Sequence, residues 1–351
     1  MRTMDETASN RKPKRKLLSK LGGPVVGLVL ILVVFGILSP RKFLSTRNFG
    51  NVAGQTVVVA TAAVGMTFII VSGGIDLSVG SVIALSGVGG ALAMVSASGS
   101  ILVGVLAAAL IGSLCGLFNG GIITLAGLPP FIVTLGALEI FRGAAFYSTD
   151  GLPVTHLPPA FETLANAEFT LDLGFSSIYI PYSFFFLVVL GVIAWIVLKY
   201  TVFGVAVYAV GSNERTARLC GLRVNLVKTA VYAIGGLTAG LAGILQASRL
   251  ITGQPSTATG LELDVIAAVV IGGGSLLGGE GTILGSIVGA FIMGFLRNGC
   301  NVVGISPFVQ RMIIGAIIII AVFADQLRHR PGVFRRFAKP KAKAGMPDNE
   351  S

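Results

Sequence analysis

Long apolar blocks recur along this chain, several approaching or exceeding the roughly 20 residues that a helix needs to cross about 30 Å of hydrocarbon. In lipid every backbone N–H and C=O must be satisfied inside the protein, which leaves helices or a closed barrel. The alternating pattern of a membrane barrel is absent from these blocks. The expected fold class is therefore an all-α polytopic membrane protein. Composition agrees: hydrophobic residues reach 54% and charged residues only 12%, against roughly 25% charged in ordinary soluble domains. So few charges cannot cover a water-soluble surface.

A net charge of +11 raises the question of nucleic acid, and its distribution answers it. Basic residues gather in three places. Arg2, Arg11, Lys12, Lys14, Arg15, Lys16 and Lys20 precede the first apolar block. Arg328, Arg330, Arg335, Arg336, Lys339, Lys341 and Lys343 follow the last one, and Lys199, Arg215, Arg218, Arg223 and Lys228 lie between. The longest polar loop, residues 148–177, carries Asp150, Glu162, Glu168 and Asp172 and neither Lys nor Arg. Cytoplasmic loops of membrane proteins are enriched in Lys and Arg, so both termini are expected inside and the acidic loop outside. No nucleic-acid partner is needed to explain the charge. Residues 1–20 and 328–351 are expected to be basic cytoplasmic tails flanking a transmembrane domain at 21–327, and lipid headgroups are natural partners for such tails.

Ten spans are expected: residues 24–38, 53–71, 82–95, 101–124, 131–146, 181–198, 226–247, 263–271, 283–296 and 308–323. An even number agrees with two cytoplasmic termini. In this scheme Arg41, Lys42 and Arg47 fall outside, against the charge rule. Leu263 to Ile271 would rise only about 14 Å at 1.5 Å per residue and runs into Gly272, Gly273 and Gly274. The sequence Gly73-Gly74-Ile75-Asp76-Leu77-Ser78 interrupts a second apolar stretch. Broken or re-entrant helices are expected at both places, since irregular backbone survives at membrane depth only inside protein or beside a water-filled cavity. Gly112 to Gly116 followed by Gly127-Leu128-Pro129-Pro130-Phe131 resembles Gly285 to Gly289 followed by Gly304-Ile305-Ser306-Pro307-Phe308. The two copies lie five spans apart, which gives an inverted repeat, a frequent device of transporter folds. Gly112, Gly116 and Gly120, Gly236 and Gly240, and Gly281, Gly285 and Gly289 each recur at fourfold spacing, which is expected to let helix backbones approach closely.

Several chemistries are excluded. There is no G-x-x-x-x-G-K-[ST] loop, so the chain has no such machinery for hydrolysing ATP. His156 and His329 fall in different compartments of the expected topology, and no protease or hydrolase motif is present. Cys115, Cys220 and Cys300 are scattered, without the spacing of a zinc site or a disulfide framework. No metal, cofactor or catalytic residue is expected. Ionisable residues in or beside apolar stretches are Asp76, Glu139, Arg142, Glu262, Asp264, Glu280, Arg297 and Arg311, and a charge in hydrocarbon is costly enough to make each a functional candidate. Glu139 and Arg142, three apart on one helix, are expected to pair. Asp76, Asp264 and Glu280 flank the suspected breaks, where a carboxylate caps a helix start or faces a pathway. In the basic loop at 205–224, Gly211-Ser212-Asn213 reads as a turn and helix cap, Glu214 to Leu219 as a short helix and Gly221 as its stop. A short capped helix of this kind is suited to a groove on a partner.

Four stretches in order, Gly73 to Ser81, Asn119-Gly120 with Leu128 to Gly136, Gly211 to Gly221, and Gly272 to Gly279, resemble the permeases of ribose-type ABC sugar importers. The resemblance runs from about Asn48 to Asp325. It implies two permease copies, a separate ABC ATPase subunit in two copies, a periplasmic sugar-binding protein and a location in the bacterial inner membrane. It also implies that Gly211, Asn213, Glu214, Arg215, Ala217 and Gly221 form the segment that couples to the ATPase. Asp76, Ser78, Asn119, Gly273 and Ser275 are the candidates for the pathway or its broken helices. The sugar is not implied. A proton-coupled carrier relaying through Asp76 or Glu139, and permeases for nucleosides or branched-chain amino acids, are the rival readings.

Overall fold

The computed structural model describes residues 14–172 and 177–329. The remainder of the expected basic tails, residues 1–13 and 330–351, lies outside the described residues. Fourteen α-helices follow in chain order among the described residues: α1 Lys14–Leu38, α2 Pro40–Phe43, α3 Thr46–Val71, α4 Val79–Ser96, α5 Ile101–Leu125, α6 Pro130–Tyr147, α7 Thr163–Asn166, α8 Tyr182–Tyr200, α9 Val202–Ser212, α10 Glu214–Leu219, α11 Val224–Leu250, α12 Leu261–Ile271, α13 Ile283–Val303 and α14 Pro307–His329. Seven of them, α3, α4, α5, α6, α8, α11 and α13, are long and apolar enough to cross a membrane. The apolar parts of α1 and α14 are shorter, and α12 has 11 residues. Each of the ten expected spans thus corresponds to a helix.

Helix α11 is the axis of the molecule. It packs against α3, α4 and α5, and the contacts run through glycine. A Cβ on Gly112 of α5 would come within 2.7 Å of the Gly240 backbone of α11, and one on Gly120 within 2.8 Å of Thr229 Cα. Gly87 of α4 meets the Gly243 carbonyl in the same way, at 2.8 Å. Lipid supplies no hydrophobic force between helices, so dispersion at close backbone approach has to hold them together. Helices α12 and α13 form a second tight pair, Gly285 and Gly289 lying against Gly272 and Ala268. Gly281 is not part of that stripe. It precedes α13, at φ +155, where it lies against Val71 and Thr67.

The structure departs from the sequence expectations in further places. Residues 202–212, expected as loop, form α9, with Thr201 accepting from Gly204 N at 3.1 Å as its cap and Gly204, Ala206, Val207 and Val210 buried. It is too short to cross, about 16 Å at 1.5 Å per residue, yet apolar enough to pack beside α3, α8 and α11. The acidic loop is folded: a 3-10 turn at Pro159–Phe161 and α7 lead into an antiparallel hairpin, β1 Glu168–Asp172 and β2 Ser177–Pro181, so among the described residues the fold is all-α except for this ribbon. Arg142 donates to the carbonyls of Pro255 and Thr257 at 2.8 and 2.7 Å, and no ion pair with Glu139 occurs among the described residues. A guanidinium offers five donors, and two carbonyls on the 255–257 turn use them better than one carboxylate on its own helix. Finally, α1 already begins at Lys14, inside the segment expected as tail.

The two resembling stretches also share their backbone. Gly127 and Gly304 both take left-handed φ values, +66 and +82, just after a helix, and Pro130 and Pro307 both open the next one. Proline at the first helical position costs nothing there, because that N–H has no partner in the helix.

Candidate functional site

Three regions carry the polar groups. The first is the break between α3 and α4. Asp76 is 4% exposed, and its Oδ1 accepts from Ser78 N at 2.7 Å and from Ser78 Oγ at 2.6 Å. Asn119 of α5 donates through Nδ2 to Ser78 Oγ at 2.9 Å, while its Oδ1 has no partner among the described residues. Tyr232 of α11 donates to the carbonyl of Ile75 at 3.2 Å, and Thr134 of α6 to the same carbonyl at 3.3 Å. Asp76 is therefore no helix cap. It closes a turn before α4, and side chains from α5, α6 and α11 hold that turn in the interior. Asp76, Ser78 and Asn119 come together as one cluster.

Gly273 and Ser275 belong to a second turn, between α12 and α13. Gly273 has φ +92, which a residue with a Cβ adopts only under strain. Ser275 Oγ donates to Asp325 of α14 at 2.9 Å, and Ser275 N donates to the Glu280 carbonyl at 3.1 Å. The two turns and α9 meet: Gly279 N donates to the Val71 carbonyl at 2.8 Å, and a Cβ on Gly278 would come within 2.9 Å of Gly73 Cα and 2.6 Å of the Gly211 carbonyl. Gly211 is thus a packing residue in the last turn of α9 as well as the approach to α10.

The second region is α10 itself. Asn213 caps it, accepting from Thr216 N through Oδ1 at 2.9 Å, and Gly221, at φ +82, turns the chain away beyond its end. Glu214 reaches Lys228 of α11 at 2.6 Å and Arg218 at 3.1 Å. The Lys228 ammonium beside it holds the Glu214 carboxyl below its ordinary range. Ala217 is 4% exposed and packs inward. Of the six residues singled out in this segment, then, Glu214 and Ala217 fasten α10 to the membrane domain, and Arg215 is left outward. Leu219, more apolar than a solvated connection requires, is an apolar tip 82% exposed at the end of α10.

The third region is a cavity of about 240 Å³ between α3, α11, α12 and α13, lined by Gln55, Thr56, Gln246, Arg249, Asp264 and Arg297 among others. Asp264 pairs with Arg297 across α12 and α13, so it too is not a cap. Among the described residues no group of His, Cys, Asp and Glu is arranged to hold a metal.

A bundle of apolar helices interrupted by glycine turns, with polar groups enclosed between helices and a short capped helix at one end, is the architecture of a membrane permease. Residues 48–322 match the family described as the permease component of the branched-chain amino acid transport system, and the chain belongs to that family. It is 38% identical over 320 residues to the ribose import permease protein RbsC of Escherichia coli K12, covering 91% of this chain and 98% of that one. It is 40% identical over 306 residues to RbsC of Bacillus subtilis 168, covering 87% and 92%, and 38% identical over 306 residues to the L-arabinose ABC transporter permease protein AraH of Azospirillum brasilense, covering 86% and 87%. No solved structure matches the chain.

Proposed function

We propose that this permease imports a monosaccharide, is driven by a separate ATPase docked on α10, and receives its sugar from a periplasmic binding protein. Both termini and α10 then face the cytoplasm of an inner-membrane protein, the hairpin segment faces outward, and two copies work together so that each of two ATPases has a docking helix. Near full-length similarity to permeases named for ribose and L-arabinose supports the sugar class over the amino acids in the family's description.

The observation that carries the coupling reading is the build of α10. It is fixed from behind by Glu214, Lys228 and Ala217 while Leu219 and Arg215 are presented outward. A rigidly held helix with an apolar tip transmits a push, which a solvated loop would absorb. The proton-carrier reading is weakened at Asp76, whose carboxylate is engaged by the turn it closes.

The test is Leu219→Asp. An exposed site usually changes stability by no more than about 0.5 kcal/mol, so membrane abundance should hold. Retention of the ATPase on purification and sugar uptake should both fall at least tenfold, and the intact unmodified complex should weigh in with two permease chains. Retention and uptake unchanged in Leu219→Asp would reject the docking role, and uptake by the permease alone in proteoliposomes under a proton gradient would establish the rival.

A further inference from the structure

The cavity between α3, α11, α12 and α13 does not stand alone. A second cleft of about 330 Å³ lies beside it, bounded by Arg47, Asn51, Glu162, Asn166 and Glu168 on the hairpin side of the molecule. The two share Gln55 and Arg249 as common walls. Arg249 sits at that junction, donating through Nη1 to the Gly54 carbonyl at 3.2 Å.

Charge along this tract is balanced. Arg47 pairs with Glu168 at 2.7 Å, Asp264 pairs with Arg297, and Glu162 and Arg249 add one charge of each sign. A tract with no net charge does not select an anion or a cation. Its neutral groups, Gln55, Thr56 and Gln246, offer donors and acceptors in the pattern that hydroxyls require. Gln246 itself already donates to Thr257 at 3.2 Å and so is held in place.

Thr56 is the pointed observation. It is 2% exposed, it lines the inner cavity, and its Oγ1 has no hydrogen-bond partner among the described residues. A buried hydroxyl without a partner destabilises a protein unless a ligand or water meets it. Opposite it stands Gly294 of α13, where any Cβ would strike the Thr56 hydroxyl.

We propose that the inner cavity is a subsite, inside a single permease chain, for a neutral polyhydroxylated solute, reached from the outer cleft past Arg249, with Thr56 as a hydroxyl-binding residue. The proposal rests on the sugar-import reading and adds where one chain holds the substrate.

The experiment places a cysteine at the site after folding is complete. Thr56→Cys is expressed as the full chain with its importer partners, and uptake of radiolabelled D-ribose, L-arabinose and D-xylose is measured before and after a small methanethiosulfonate reagent, with the parent chain treated alongside. Modification, followed by mass, should reach Thr56→Cys, should cut its uptake at least tenfold while sparing the parent, and should slow severalfold in the presence of the transported sugar. A Thr56→Cys chain that is fully modified yet transports normally, or that transports but is never modified, overturns the subsite and leaves the importer reading standing. A parent chain that takes up none of these sugars removes the monosaccharide-import reading on which the subsite rests.

Discussion

Asn48 of α3 and Asn298 of α13 are both 8% exposed, and each donates its amide to the other's carbonyl, at 2.8 and 2.9 Å. Asn48 also donates to the Phe43 carbonyl at 2.9 Å, so one side chain ties α2, α3 and α13 together. Removing one partner leaves the other buried without its hydrogen bonds, at about 1–3 kcal/mol, whereas removing both with residues of similar shape is close to neutral. Asn48→Leu and Asn298→Leu should each lower the thermal midpoint of the purified chain, and the double variant should lose less than the sum of the two, the Phe43 carbonyl alone staying without its donor; additive losses would count against the pair. Glu214 behaves differently, because it is partly exposed. Its pKa is lowered in the folded chain by Lys228, so the ionised clamp contributes above the ordinary glutamate value of about 4.3 and is lost only as pH falls through the lowered value. An ion pair of this exposure contributes about 0.2–1 kcal/mol, enough to place a six-residue helix but too little to hold a fold. Glu214→Gln at neutral pH should therefore leave the thermal midpoint of the purified chain almost unchanged, and a fall of many degrees would mean that the clamp holds more than α10.

At the scale of elements, glycine decides which helices touch. A Cβ on Gly116 of α5 would meet the Ala233 backbone of α11 at 3.0 Å and the Tyr232 carbonyl closer still, whereas Gly121, on the same helix, has open space. Overpacking of a close contact costs typically about 1–3 kcal/mol, while alanine for glycine on an open helix face favours the helix by up to about 1 kcal/mol. Gly116→Ala should sharply reduce the yield of monodisperse detergent-extracted protein and Gly121→Ala should not; equal yields would mean that α5 and α11 do not pack as described. Spacing alone marked Gly112, Gly116, Gly120, Gly236, Gly240, Gly285 and Gly289 as packing residues, and all of them sit at close backbone contacts. It misassigned Gly281, since periodicity reads the same whether or not the first residue lies inside the helix.

For the whole molecule, the contact of Arg47 with Glu168, reinforced by its guanidinium lying 4.7 Å from the Tyr179 ring centre, puts the α2–α3 corner on the side of the hairpin. One of the three basic residues that offend the charge rule thus has a carboxylate beside it. External thiol labelling in intact cells should reach Thr163→Cys and miss Thr216→Cys, both of which are exposed sites; the reverse pattern would invert the topology and move α10 away from any cytoplasmic ATPase.

The sequence by itself determined the helical membrane class, the ten apolar segments, both glycine breaks and the capped helix at Glu214–Leu219, because each depends on local length, periodicity or backbone conformation. Only the tertiary structure decided what the polar side chains do. Asp76 closes a turn held by Asn119, Arg142 seeks carbonyls on residues 255–257 and not its helical neighbour, and Asp264 finds Arg297 across a glycine-packed pair. Likewise Gln55, Thr56, Gln246 and Arg249, unremarkable in four separate stretches of chain, share one cavity wall with that pair. A hydrogen bond or ion pair is chosen by what lies within about 3 Å, and between helices that neighbour is set by packing across tens to hundreds of residues of sequence, which no local pattern records.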